Sequence, residues 1–420
     1  MSDRIIRTYF AITGLFNLAM SLIWGIDTLF KMGAGLDIQQ VLLTNAAFTL
    51  GSMVFEIPTG VVADTVGRRV SLLLCLVTLF TTTLLYVTCA WRGWGFGGFM
   101  WISVLLGLGY TFYTGAVDAW LVDALKATGF ARPLEPVFAR GQMYFGAAML
   151  VGTIGGGLLG DVRLYIPYLV RASLVVPLFL VAWFRMPELG FTPRALELRR
   201  VGPELRRVFV AGLRYGLRSP VLRPVMLASL VSMSFMIFGF YSWQRYFLDL
   251  LGRDVVWVDG VISALVGLSL IVGNALVAPV SRVVRTRTGV LMLSTGAQAV
   301  LVVACGLLTN FFAVISLYLL YGVAVGLAMP VKQAYLNEHI PSAQRATIIS
   351  LDSMFASSGG VLGQTAWGWV ARTRSIGAAW TGSGVTLLMG IPLYWIARRR
   401  DRHLDRISYT ARRSGRRLDA

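Results

Sequence analysis

Apolar runs of about 20 residues, long enough to cross roughly 30 Å of hydrocarbon as a helix, recur from Thr8 to the region of Ile396 with only short polar breaks. No other feature narrows the fold as far. The chain is 56% hydrophobic and only 14% charged, against roughly a quarter charged in an ordinary soluble domain. In lipid every backbone polar group must be satisfied internally, which leaves helices or a closed barrel. Barrel strands alternate polar and apolar residues, and these runs do not. The expectation is an all-α membrane protein with spans near 8–30, 38–63, 70–90, 97–124, 141–160, 164–184, 224–250, 256–280, 289–309, 311–335, 346–371 and 377–397. The first follows Arg4 and Arg7 but is longer than a signal core and lacks a small-residue cleavage site, so it is read as retained.

A net charge of +18 suggests nucleic acid only until its placement is examined. Arg4, Arg7, Arg68, Arg69, Lys126, Arg132, Arg140, the cluster from Arg185 to Arg223, Arg282, Arg285, Arg287, Arg345 and the tail after Arg398 fall on one side of the expected spans. The other side holds mainly Lys31, Arg92, Arg163, Arg253, Arg372 and Arg374. The positive-inside rule then puts both termini in the cytoplasm and requires an even number of spans. The basic residues set topology and meet anionic lipid headgroups, which accounts for them without nucleic acid. Division follows at the polar segment: a six-span bundle over 1–184, an amphipathic cytoplasmic linker over 185–223, a second six-span bundle over 224–397 and a basic tail over 398–420. Leu196, Leu198, Leu205, Val208 and Leu213 give the linker partial helical periodicity, as in a helix lying on the membrane face.

Cys75, Cys89 and Cys305 have no metal-ligand spacing and read as small packing residues. His339 and His403 lie outside the spans, so neither a metal site nor a histidine proton relay is expected within the membrane. No phosphate-binding loop or catalytic triad spacing is visible, so no cofactor and no enzyme activity are expected.

The most specific local pattern is GVVADTVGRR, from Gly60 to Arg69, between the second and third spans. Gly60 allows close helix approach, Gly67 permits a tight turn, and Asp64 stands one helical turn from Arg68. Here the chain resembles the major facilitator superfamily, whose signature between helices 2 and 3 is matched at every position. Phe55, Glu56, Ile57, Pro58 and Thr59 just before it resemble a bacterial subgroup of drug and metabolite exporters. The resemblance implies twelve helices in two pseudo-symmetric six-helix bundles, in a bacterial inner membrane, working as a monomer. It also implies a cytoplasmic gate of Gly60, Asp64, Gly67, Arg68 and Arg69 with Asp123 as the partner acid. A weaker echo in the second half joins Arg282, Arg285 and Arg287 to Glu338.

The sequence departs from the superfamily in two places. Ser103 stands where proton-coupled members often carry an arginine, and the run from Gly152 to Gly160 lacks the proline of the antiporter motif. Small residues that let helices pack closely explain that run equally well. The run from Ser357 to Gly363 mirrors it and supports the repeat.

Ionisable residues inside spans are costly and are retained for pairing or function. Asp27, Glu56, Asp118, Lys332 and Asp352 are the deepest, with Arg171 and Arg245 nearer the outer face. Lys332 and Asp352 can pair with each other. Asp27 and Asp118, with Glu56 and Asp352 behind them, are the expected proton or cation sites, since an enclosed carboxylate can take up a proton on one side and release it on the other. The resemblance places helices 1, 4, 7 and 10 around a central cavity. Asn17, Trp24, Tyr110, Tyr113, Tyr241, Gln244, Arg245, Tyr318, Tyr321 and Lys332 lie on those helices and are the expected substrate contacts, while Trp243 reads as an interfacial anchor. Aromatic walls with acidic groups suit lipophilic cations. The function expected is proton-coupled efflux of drug-like or lipophilic small molecules, with uptake of a metabolite or movement of lipid as the alternatives.

Overall fold

The computed structural model describes residues 1–130, 132–191, 218–253, 255–340, 345–400 and 405–407. The periodic part of the linker, residues 341–344, and His403 with most of the basic tail lie outside the described residues. The described chain is helical, with Thr286 and Arg406 forming an isolated β-bridge. Span 1 is Ser2–Ser21 continued by Asp27–Gly33, span 2 Ile38–Thr65, span 3 Arg68–Arg92, and span 4 Gly95–Thr111 with Ala116–Ala127. Spans 5 and 6 are Glu135–Val162 and Ile166–Arg185. Span 7 is Leu222–Leu251, span 8 Val256–Ala275 with Val277–Val284, span 9 Arg287–Leu307 and span 10 Phe311–His339. Span 11 is Arg345–Thr373 and span 12 Ile376–Leu387 with Gly390–Arg400.

Among the described residues, 10 helices are long and apolar enough to cross a membrane. Spans 1 and 11 are not among them: the long helix of span 1 carries Arg4, Arg7 and Asn17 before its break, and span 11 carries Asp352 and Gln364. Packing against the other helices supplies what their own hydropathy lacks. The chain is an integral multi-pass membrane protein.

Local chemistry sets the helix ends. Asp37 caps span 2 by accepting from the Gln40 amide at 2.9 Å, while the Gln40 side chain accepts from the Asp37 amide at 3.0 Å. Gly93, at φ +65°, closes span 3 in the left-handed conformation. Asn310 caps span 10 through the amide of Ala313 at 3.0 Å.

The chain forms two compact units. The first is Met1–Leu205 with Ile237–Leu265 and Gly360–Ile376; the second is Arg206–Met236 with Val266–Gly359 and Gly377–Ala420. Ile12, Phe16, Leu76, Leu79, Trp120 and Leu178 are buried at the centre of the first. Val225, Met226, Leu291, Tyr335 and Tyr394 are their counterparts in the second.

Within the first unit, parts of spans 7, 8 and 11 pack on spans 1, 2 and 5. The glycine run of span 5 is a packing surface, because an added Cβ at Gly152 would meet Ser21 and one at Gly156 the Leu22 carbonyl. A Cβ on Gly157 would lie 3.0 Å from the Cα of Gly260 in span 8. Small residues here let backbones approach as side chains could not. Gly156→Ala is therefore expected to cost about 1–3 kcal/mol through overpacking. Gly146→Ala, where the added Cβ meets open space, should be neutral or stabilising by helix propensity. Thermal unfolding in detergent checks the contrast.

Candidate functional site

Leu22 to Ile26 interrupt span 1 and leave backbone groups without helical partners. Gln244 of span 7, fully buried, supplies them: its Oε1 accepts from the Thr28 amide at 3.0 Å, and its Nε2 donates to the Trp24 carbonyl at 2.6 Å. The Thr28 hydroxyl donates to the Tyr241 carbonyl at 2.6 Å. Gln244 and Tyr241 thus act first on the backbone of span 1. Arg372 stands 3.3 Å from Asp37, and the Val256 amide donates to Asp161 at 3.2 Å, adding further links inside the same unit.

The resumed helix begins at Asp27. One turn later the ammonium of Lys31 lies 2.8 Å from Asp27 and 2.5 Å from the Asn45 side-chain oxygen, and 5.3 Å from the centre of the Tyr86 ring. Tyr168 donates to the other Asp27 oxygen at 2.9 Å. Tyr86 and Ser103 share a hydrogen bond at 2.6 Å. Asp27, Lys31, Asn45 and Tyr86 line a cavity of about 340 Å³ with Asn17, Trp24, Tyr110, Tyr241 and Arg171. Arg171 is buried, and its guanidinium makes a single weak contact, from Nη2 to the Met20 sulfur at 3.4 Å. Nε and Nη1 have no hydrogen-bond partner among the described residues.

Several expectations need correction. Lys31 is 1% exposed rather than in an outer connection, because its i,i+4 spacing to Asp27 draws it inward. Arg171, which was not among the expected substrate contacts, lines the cavity. Arg245 is absent from the cavity lining and pairs with Asp249 at 2.6 Å along its own helix. Trp243 is buried beside Phe247, not an interfacial anchor. Tyr113 stacks on Phe16 next to the cavity, at 3.6 Å between ring centres, without lining it. Asp118 is exposed and accepts from Tyr9 at 3.1 Å; Glu56 is exposed as well.

The second unit holds a smaller cavity of about 230 Å³ lined by Ser229, Gln298, Tyr321, Lys332 and Asp352, among others. Lys332 and Asp352 pair at 2.8 Å, and Ser229 donates to Asp352 at 2.6 Å. The cavity's charge is therefore balanced. Tyr318 stacks nearly parallel on Tyr321 at 5.7 Å between ring centres.

At the signature turn, Arg68 and Asp64 pair at 2.5 Å. Asp123 makes no ion pair among the described residues; its carbonyl would lie 2.7 Å from a Cβ on Gly190. Glu188, which the sequence pattern leaves in the linker, accepts from the Arg69 amide at 2.5 Å. A Cβ on Gly67, at φ +129°, would lie 2.8 Å from Glu188, so both backbone angle and space favour glycine there. Gly60 is exposed, with open space where a Cβ would stand. In the second unit Arg287 holds Glu338 through two bonds at 2.5 and 2.6 Å.

One buried acid escaped the sequence reading. Asp259, in the first turn of span 8, is fully buried, and neither carboxylate oxygen is hydrogen-bonded among the described residues. Only its position near a span's start could have hidden it.

The described residues form a helical membrane bundle with enclosed charged cavities. Residues 258–417 match the family described as Major Facilitator Superfamily. An uncharacterised MFS-type transporter, YxaM of Bacillus subtilis (strain 168), is 21% identical over 92% of this chain and 94% of its own. Among solved structures, the nucleoside transporter NupG superposes with a TM-score of 0.75 at 12% identity, over 94% of this chain and 98% of that one. A D-xylose-proton symporter gives 0.67 at 13%, over 94% and 97%. The fold is that of the superfamily, and the matches support a membrane transporter of this type.

Removing Lys31 alone would leave Asp27 charged and half-partnered in a buried site. Lys31→Met is expected to destabilise by about 3–5 kcal/mol, and adding Asp27→Asn to recover part of that loss. Thermal or denaturant unfolding of the two single variants and the double variant reads the coupling.

Proposed function

We propose that this protein is a secondary transporter that moves a small, largely lipophilic organic molecule by alternating access, coupled to protons and directed outward. The observation that carries the reading is the 340 Å³ cavity walled by aromatic rings and buried charges in the first unit. It adjoins a set of breakable polar contacts: Gln244 on the span 1 break, Arg372 on Asp37 and Val256 on Asp161. Such contacts are made by segments that the chain places after its midpoint upon segments before it. They suit a seal that closes one end of the pathway and parts in each cycle.

For the coupling proton, Asp27 is poorly suited, since Lys31 and Tyr168 already engage both its oxygens. Asp259 suits the role better. Burying an ionised carboxylate without partners costs several kcal/mol, so charge on Asp259 and a closed seal oppose each other. Asp161, bonded to the first residue of the same helix, is the described acid on the neighbouring span that would share its field. Outward direction, an inner-membrane location, cytoplasmic termini and a monomeric state rest on the charge placement and on the resemblance of Phe55 to Thr59 to exporters. A metabolite permease is the second reading, favoured by likeness to a nucleoside transporter and a D-xylose-proton symporter.

Proteoliposomes of known orientation with an imposed proton gradient test both readings, since the sign of gradient-driven flux separates export from uptake. Absence of any solute movement would overturn the transporter reading. Joining Asp37→Cys and Arg372→Cys by a short thiol cross-linker should stop turnover, with recovery on reduction of a cleavable linker. Undiminished flux in the cross-linked protein would show that this contact does not part.

A further inference from the structure

We infer that the cavity of the first unit is an anion site: it takes a small molecule with a flat apolar body and one carboxylate, and Arg171 receives the carboxylate. This rests on the transporter reading and supplies its substrate class. Three charged side chains line the cavity: Asp27, Lys31 and Arg171. Asp27 and Lys31 neutralise each other at 2.8 Å. The second Asp27 oxygen is taken by Tyr168, and the ammonium is further engaged by Asn45 at 2.5 Å. Arg171 is left over.

Its burial makes that surplus informative. The side chain is 2% exposed, its one hydrogen bond runs to a thioether sulfur, and the donors on Nε and Nη1 are unspent. A guanidinium is a charged donor group with no acceptor capacity, and a buried cation without an acid partner is expensive. Within a membrane span such a group is retained where it meets an ion or a substrate. The missing partner is an oxyanion, and a carboxylate matches guanidinium geometry and charge.

The apolar part of the ligand follows from the walls. Phe16, Trp24, Tyr110 and Tyr241 present rings around a space at the small end of the range for organic ligands. Aromatic rings also attract cations, but repulsion from one unpaired unit charge at about 5 Å in an effective dielectric near 20 exceeds that attraction. The sequence expectation of a cationic substrate counted Asp27 without Lys31 and Arg171, and the sign of the site reverses once both are included.

Matched probes test this on the purified full-length protein in detergent: indole-3-acetate, its amide and tryptamine, and the corresponding naphthalene acid, amide and amine. Binding is read by quenching of tryptophan fluorescence and by thermal shift. The acids are expected to bind about ten-fold or more tighter than their amides and amines. Arg171→Gln should erase that preference. Arg171→Lys keeps the charge with fewer donors, so it should retain the preference at lower affinity, and it serves if Arg171→Gln does not fold. Amines binding as tightly as acids, no acid binding at millimolar concentration, or an acid preference unchanged in Arg171→Gln would each overturn the anion site. The transporter reading fails separately: acids that bind but are not moved by any gradient in proteoliposomes would overturn transport and leave the site standing.

Discussion

In hydrocarbon a helix that stops must hand its backbone groups to another partner, and the interruption of span 1 at Leu22 to Ile26 is the place where this structure does so most visibly. Gln244 and the Tyr241 carbonyl take the released groups. Because helix resumes at Asp27, the acid begins a new helical turn, and Lys31 one turn on can reach it. Broken helix, buried ion pair and cavity are therefore one arrangement. A continuous span 1 would leave Gln244, which is fully buried, without its partners.

The same constraint explains which polar groups are paired. Lys332 with Asp352, Arg287 with Glu338 and Arg68 with Asp64 each bring opposite charges to within 2.8 Å. Pairs of this kind offset the cost of removing charge from water and add little net stability. Arg171 and Asp259 stand apart because neither has an ion-pair partner among the described residues. Among the described residues, whose other buried charges are paired, an unpaired cation facing a cavity and an unpaired acid within a helix interface are the features most in need of an outside partner, an anion for one and a proton for the other.

Much of the architecture was legible in the sequence because a span's length is imposed by the bilayer, whatever its neighbours. The expected 70–90 lies inside Arg68–Arg92, and 311–335 inside Phe311–His339. Signature positions Asp64, Gly67 and Arg68 were legible for a similar reason, since the turn's chemistry is local. What failed was depth. Lys31, Arg171 and Arg245 all lie in or near apolar runs, and hydropathy alone cannot distinguish an inward charge from one reaching the interface. The i,i+4 pairs Asp27 with Lys31 and Arg245 with Asp249 were available in the sequence and would have settled two of the three. Arg171 has no local partner, and only the tertiary structure shows that its neighbour is a methionine. Glu188 was hidden differently: its role depends on a contact 119 residues away in the chain.

That contact has a counterpart in the second unit, and the correspondence extends the repeat from helix count to chemistry. Glu188 follows span 6 and accepts from the amide of Arg69, the second residue of span 3. Asp405 follows span 12 and accepts from the amide of Thr288, the second residue of span 9, at 2.8 Å, with the Thr288 hydroxyl at 2.6 Å. In each case the first residue of the capped helix, Arg68 or Arg287, is an arginine held by an acid, Asp64 or Glu338. Free amides at a helix start favour a carboxylate through both hydrogen bonding and the helix dipole. The chain leaving span 6 is thus tied to the start of span 3, and the chain leaving span 12 to the start of span 9. The glycines of the first turn have no equivalent in the second, yet the acid cap and the arginine pair persist, so the electrostatic part of the turn is repeated where its backbone geometry is not.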